Sequence, residues 1–183
     1  MGSISKTDQQ FDKIKTICLE VFSKKMKDYG TAWRILRPSS ITDQIYIKAQ
    51  RIRSLQDKGT QKINEGISSE FVGIVNYAIM GLVQLDRGHS DHADLNSGDA
   101  LDIYTSFYEK ARSLMHDKNH DYSEAWREMR VSSLTDIILM KLLRIKQIED
   151  NKGVTFASEG IDANYYDIIN YAVFALIKLE LVK

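Results

Sequence analysis

The chain has 183 residues, 43% of them apolar and 27% charged, with 25 basic residues balanced by 25 acidic ones. That fits one ordinary globular domain or two small ones. Zero net charge argues against an extended basic surface for gripping nucleic acid, while leaving room for a local basic pocket. The single cysteine, Cys18, excludes an internal disulfide. Flanked by Ile17, Leu19, Val21 and Phe22, it reads as a small buried hydrophobe in a reducing compartment. The opening MGSISKTDQQ lacks the apolar stretch of a signal peptide, and no apolar run reaches the length of a membrane span. The expectation is a cytoplasmic protein with no membrane partner. One proline and few glycines favour helices.

In chain order, residues 8–27 predict a first helix. Phe11, Ile14, Ile17, Cys18, Val21 and Phe22 recur at three- and four-residue steps, and Gly30 is a plausible stop. Ser39 and Ser40, with Asp43 three residues after Ser40, resemble a capping box that starts a second helix, about Ile41 to Asp57. Its seam of Ile41, Ile45, Ile52 and Leu55 is interrupted by Lys48, and an ammonium facing a core stripe needs a partner. A third helix is predicted over 68–86, burying Phe71, Ile74, Val75, Ala78, Ile79, Leu82 and Leu85. Residues 88–98, GHSDHADLNSG, read as a flexible linker between residues 1–87 and 99–183. The His89, Asp91, His92 and Asp94 cluster in it is read as linker rather than as a metal site.

The second half repeats the plan, with helices predicted over 101–116, 134–151 and 163–181. DYGTAWRILRPSSITDQIYIKAQRI at 28–52 recurs as DYSEAWREMRVSSLTDIILMKLLRI at 121–145. Most of the shared residues are polar, charged or aromatic, which packing alone does not demand. The expected fold is all-α: two tandem three-helix repeats packed as a pseudo-twofold bundle. A three-helix unit of this size is marginal alone, which favours a shared core.

The residues kept in both halves are the candidate ligand contacts. They are Lys25, Asp28, Tyr29, Trp33, Arg34, Lys48, Arg51 and Asn76, with counterparts Lys118, Asp121, Tyr122, Trp126, Arg127, Lys141, Arg144 and Asn170. Converging lysines and arginines suit phosphate groups, and a tryptophan can stack on a base. Glu65, Glu70, Glu159 and Asp167 are candidate magnesium ligands. The expected ligand is a nucleotide or another phosphorylated small molecule. A purely structural network carries equal weight, with Lys48 paired to Glu65 or an aspartate and the tryptophans anchoring the core.

The order Lys, DYG-x-AWR, Lys-x-x-Arg-Ile, Glu-Gly, Asn-Tyr-Ala resembles the nucleotide modification associated domain family of bacteria and phages, here in tandem form. The resemblance covers nearly the whole chain apart from the extreme N-terminus and the linker, and it implies a place in nucleotide or modified-base metabolism. The layout is also similar, more distantly, to the all-α nucleoside triphosphate pyrophosphatases, the group of MazG and the dimeric dUTPases. That group holds magnesium with Glu-x-x-Glu on one helix and Glu-x-x-Asp on the next. This chain departs from it: Glu70 is followed by Gly73, Asn164 is followed by Asp167, and the preceding helices lack Glu-x-x-Glu. Two outcomes are therefore set against each other. One is a magnesium-dependent pyrophosphohydrolase, with Glu70 and Asp167 joining across the halves. The other is a non-catalytic binding or scaffold protein that lost the metal. A homodimer is compatible with either.

Overall fold

The computed structural model describes residues 4–59 and 63–182, with side chains from residue 66 onward in the second stretch. Among them the chain forms six long helices and no strand. These are α1 (Lys6–Tyr29), α2 (Pro38–Lys58), α3 (Ile63–Arg87), α4 (Ser97–Tyr122), α5 (Val131–Asp150) and α6 (Ile161–Leu176). A π-helical turn, Ile177–Leu181, continues α6. Two four-residue 3-10 turns, Ala32–Ile35 and Ala125–Glu128, carry the tryptophans. The fold is the expected all-α bundle. Most helices run further than the apolar period predicts, because their terminal turns are polar.

The N-termini of α1 and α4 are capped alike. Ser5 Oγ accepts from the Asp8 amide at 3.0 Å, and Asn96 Oδ1 accepts from the Asp99 amide at 2.8 Å. The capping box expected at Ser40 and Asp43 does not form. Pro38 takes the first turn of α2, where its fixed φ suits the helix, so both serines lie inside it. Asp43 instead pairs across the halves with Lys146 at 2.9 Å, and its counterpart Asp136 approaches Arg53 at 3.9 Å.

Helices α2 and α3 pack along each other, as do α5 and α6. Across the halves α3 lies on α6 and α2 on α5, with α1 and α4 packed outside. One continuous apolar core runs through both halves, from Phe11, Ile14 and Cys18 to Ile168, Val173 and Leu176. Each fully buried Ile or Phe contributes about 1.5–3 kcal/mol, which explains why the halves share a core. Burial pushes the Cys18 thiol up to about 12, as expected for an inert buried thiol. Residues 66–87 of α3 are, by length and composition alone, sufficient to cross a membrane, a feature the reading of the sequence missed; here that stretch is a central core helix.

The buried stripe of α2 runs through Ile41, Ile45, Ala49 and Ile52, so Lys48 flanks the seam rather than interrupting it. Leu85, expected on the buried side of the third helix, is exposed. The segment expected to be a flexible linker is strapped down. Buried Arg34 donates to both carboxylate oxygens of Asp94, at 2.7 and 3.2 Å, and to the Gly88 carbonyl at 2.8 Å. The Ser90 amide donates to the Arg34 carbonyl at 2.8 Å, and Thr31 donates to the Leu95 carbonyl at 2.8 Å.

Candidate functional site

In the first half, α1, α2 and α3 enclose a cleft of about 410 Å³. From the expected set it holds Lys25, Tyr29, Trp33, Lys48 and Asn76. Phe22, Met26, Val72, Tyr77 and Met80 make its apolar wall, and Ser68, Ser69 and Glu180 also line it. Gly73 shapes it. A Cβ there would lie 3.0 Å from Lys48 Cδ and Cε, so the missing side chain lets the α2 lysine lie across α3. Lys48 Nζ stands 3.4 Å from one oxygen of Glu70, while Arg51 holds the other oxygen at 2.7 Å. Lys25 is exposed and has no carboxylate within ion-pair distance among the described residues.

The second half places the counterpart residues around two hollows. One, of about 480 Å³, holds Lys118, Tyr122, Trp126, Lys141, Asn170 and Phe174. The other, of about 400 Å³, contains Tyr166, which stands where the first half has Val72 and has Lys110 over its ring at 5.2 Å. Asp167 stands in the place of Gly73. Lys141 Nζ meets one of its oxygens at 2.8 Å and Lys118 bonds the other. Burial is the largest single influence on Lys118 and lowers its pKa, but the bond to Asp167 together with the neighbouring negative charge raises it on balance. Asn164, neutral, stands where the first half has Glu70. Arg144 accordingly has no carboxylate partner among the described residues; it lines an adjoining basin of about 700 Å³, reached also by Lys141, with Phe156, Glu159 and Asn164.

Several expected contacts belong to the scaffold. Arg34 is fully engaged by the strap. Its counterpart Arg127 donates to Thr7 at 2.8 Å and Gln10 at 2.9 Å, and bonds Glu124, tying down the start of α1. Asn76 donates to the Cys18 carbonyl at 3.1 Å, and Asn170 to the Ala111 carbonyl at 2.9 Å, pinning α3 to α1 and α6 to α4. The Asn76 oxygen also accepts from the Tyr104 hydroxyl at 2.7 Å. The Asn170 oxygen has no protein partner, because the residue equivalent to Tyr104 is Phe11, which has no hydroxyl. The Trp126 ring stacks on Phe174 at 4.3 Å and lies 4.3 Å from the Arg127 guanidinium, so both its faces are covered. Trp33 packs against Phe22 at 6.4 Å and reaches the first cleft with little exposed area. Asp28 and Asp121 face solvent.

The acidic set does not gather. Glu70 and Asp167 are each held by cations of their own half, Glu159 lies on the rim of the Arg144 basin, and the Glu65 side chain lies outside the described residues. Among the described residues no three Asp, Glu, His or Cys side chains come together as a metal site would require. The cleft residues missed from sequence, above all Gly73 and Val72, were legible as differences between the repeats rather than as identities.

The model of the family described as nucleotide modification associated domain 1 matches residues 25–85 and, separately, residues 118–179. No curated protein and no solved structure matches the chain. The two matched segments each contain one of the paired lysine sites, and together they span most of the sequence. The chain belongs to the nucleotide modification associated domain 1 family, with the domain present twice in tandem.

Proposed function

We propose that the protein binds a nucleotide, or a closely related phosphorylated small molecule, in the cleft of its first half and serves nucleotide or modified-base metabolism. The observation that carries this reading is Lys48 lying across Gly73, with Lys25 lining the same cleft beside a wall of Phe22, Met26, Tyr77 and Met80. Ammonium groups facing an open cleft suit a phosphate, and the apolar wall suits a base. The family's association with nucleotide modification points the same way.

Magnesium does not fit the described donors. A metal that assists phosphoryl chemistry needs several converging carboxylates. Among the described residues Glu70 and Asp167 lie in different halves, and each already faces two cations. That favours binding over pyrophosphate hydrolysis, so the protein would hold or deliver its ligand.

Thermal-shift measurements with nucleoside mono-, di- and triphosphates, with and without magnesium, test the reading. The expected result is stabilisation by nucleotide that needs no magnesium, is abolished in Lys25→Ala and is accompanied by no release of pyrophosphate. Magnesium-dependent turnover would restore the pyrophosphohydrolase alternative. Indifference to every nucleotide would leave a structural network.

A further inference from the structure

The second half shows what its two lysines are shaped to hold. Lys118 and Lys141, from different helices, converge on the two oxygens of one carboxylate, that of Asp167. Their counterparts Lys25 and Lys48 line the first cleft beside Gly73, where the chain supplies no side chain. Glu70 does not replace it. It lies one helical turn earlier, stands 3.4 Å from Lys48 and is held by Arg51 at 2.7 Å. Carboxylates and phosphates both present oxygens to lysine N–H donors at similar distances.

We infer that Asp167 is a built-in stand-in for the ligand's anionic group, so that the chain carries one open oxyanion seat, over Gly73, and one latent seat closed by its own carboxylate. The inference rests on the nucleotide-binding reading and sharpens it. The ligand's phosphate lies between Lys25 and Lys48, its base lies toward Phe22, Tyr77 and Met80, and one ligand binds per chain despite the duplication. The latent seat keeps its surrounding space: the hollow about Asp167 measures about 480 Å³. Only the anion position is taken.

The test exchanges the two residues. Binding of inorganic pyrophosphate is measured by calorimetry, with circular dichroism as the check on folding. Wild type is expected to bind one equivalent. Gly73→Asp should lose at least tenfold in affinity while staying folded, because the contact its Cβ makes is with the flexible end of Lys48. Asp167→Gly should bind two equivalents, with Asp167→Ala as the variant that avoids a glycine within α6. Unchanged affinity in Gly73→Asp, or one equivalent in a folded Asp167 variant, overturns the inference and leaves the nucleotide reading standing. If wild type binds neither pyrophosphate nor any nucleotide, both fall together. Should neither Asp167 variant fold, Gly73→Asp alone decides.

Discussion

The two halves carry the same three cations but different acids. In the first half Lys48 and Arg51 meet Glu70, whereas in the second Lys118 and Lys141 meet Asp167, one turn later. That shift of one helical turn reverses which cation is left over: Lys25 in the first half, Arg144 in the second, among the described residues. The first half thus keeps Lys25 available to its cleft while Lys48 shares Glu70 with Arg51, and the second engages both lysines on Asp167. Duplication allowed one copy to settle into an internal ion pair while the other kept an open basic cleft. The same division marks the scaffold. Arg34 is buried in a complete set of bonds that straps residues 88–96, while Arg127, more exposed, ties down only the start of α1.

Substitutions distinguish the two halves. The largest effect is expected for Arg34→Ala, which removes a buried guanidinium and leaves Asp94 and the Gly88 carbonyl without their partner; it should cost about 3 kcal/mol in urea unfolding, and Arg127→Ala about 1–2 kcal/mol. An equal cost would deny the difference between the two arginines. Next, Lys141→Met removes one of two cations from a nearly buried carboxylate and should cost about 2 kcal/mol, whereas Lys48→Met leaves Glu70 with Arg51 and should cost under about 1 kcal/mol. If Lys48→Met proves the costlier, the assignment of open and closed sites is reversed. A third variant compares helix ends. Gly30 follows α1 at φ 59°, and Ser123 follows α4 at φ 53°, a conformation unfavourable for a residue with a Cβ. Ser123→Gly should therefore stabilise by up to about 1 kcal/mol, and a loss of that size would refute the equivalence.

The smallest effect concerns pH. Glu149 on α5 contacts Thr42, in the way that Gln56 on α2 donates to Thr135 at 3.1 Å. Burial raises the Glu149 carboxyl above its ordinary value, with the neighbouring Thr42 hydroxyl opposing it. A folded-state pKa raised in this way means that ionised Glu149 works against folding, with its favourable contribution present at low pH and lost as pH rises through the folded value. Glu149→Gln, which copies the first half, should stabilise at neutral pH and lose that advantage at acidic pH. Melting temperatures measured across pH 3–8 show whether the advantage has that dependence.

Helix number, their approximate bounds and the pairing of halves were legible because apolar periodicity and a long repeat are local, additive signals. Phe11, Ile14, Ile45 and Phe71 lie in the core as their spacing demanded. Site chemistry was only half legible. Identities between the repeats marked Lys48 and Lys141, but they marked Arg34, Asn76 and Trp126 equally, and these hold the scaffold together. A residue kept for packing and one kept for binding leave the same trace in a single chain.

An all-α duplicated domain, with a basic triplet repeated in each copy, was legible from the sequence, since both depend on residue type and spacing along one chain. Tertiary structure decided which lysines stay open. That depends on whether Gly73 or Asp167 stands opposite them from another helix, and the distance between Lys141 and Asp167 is written nowhere in the order of residues.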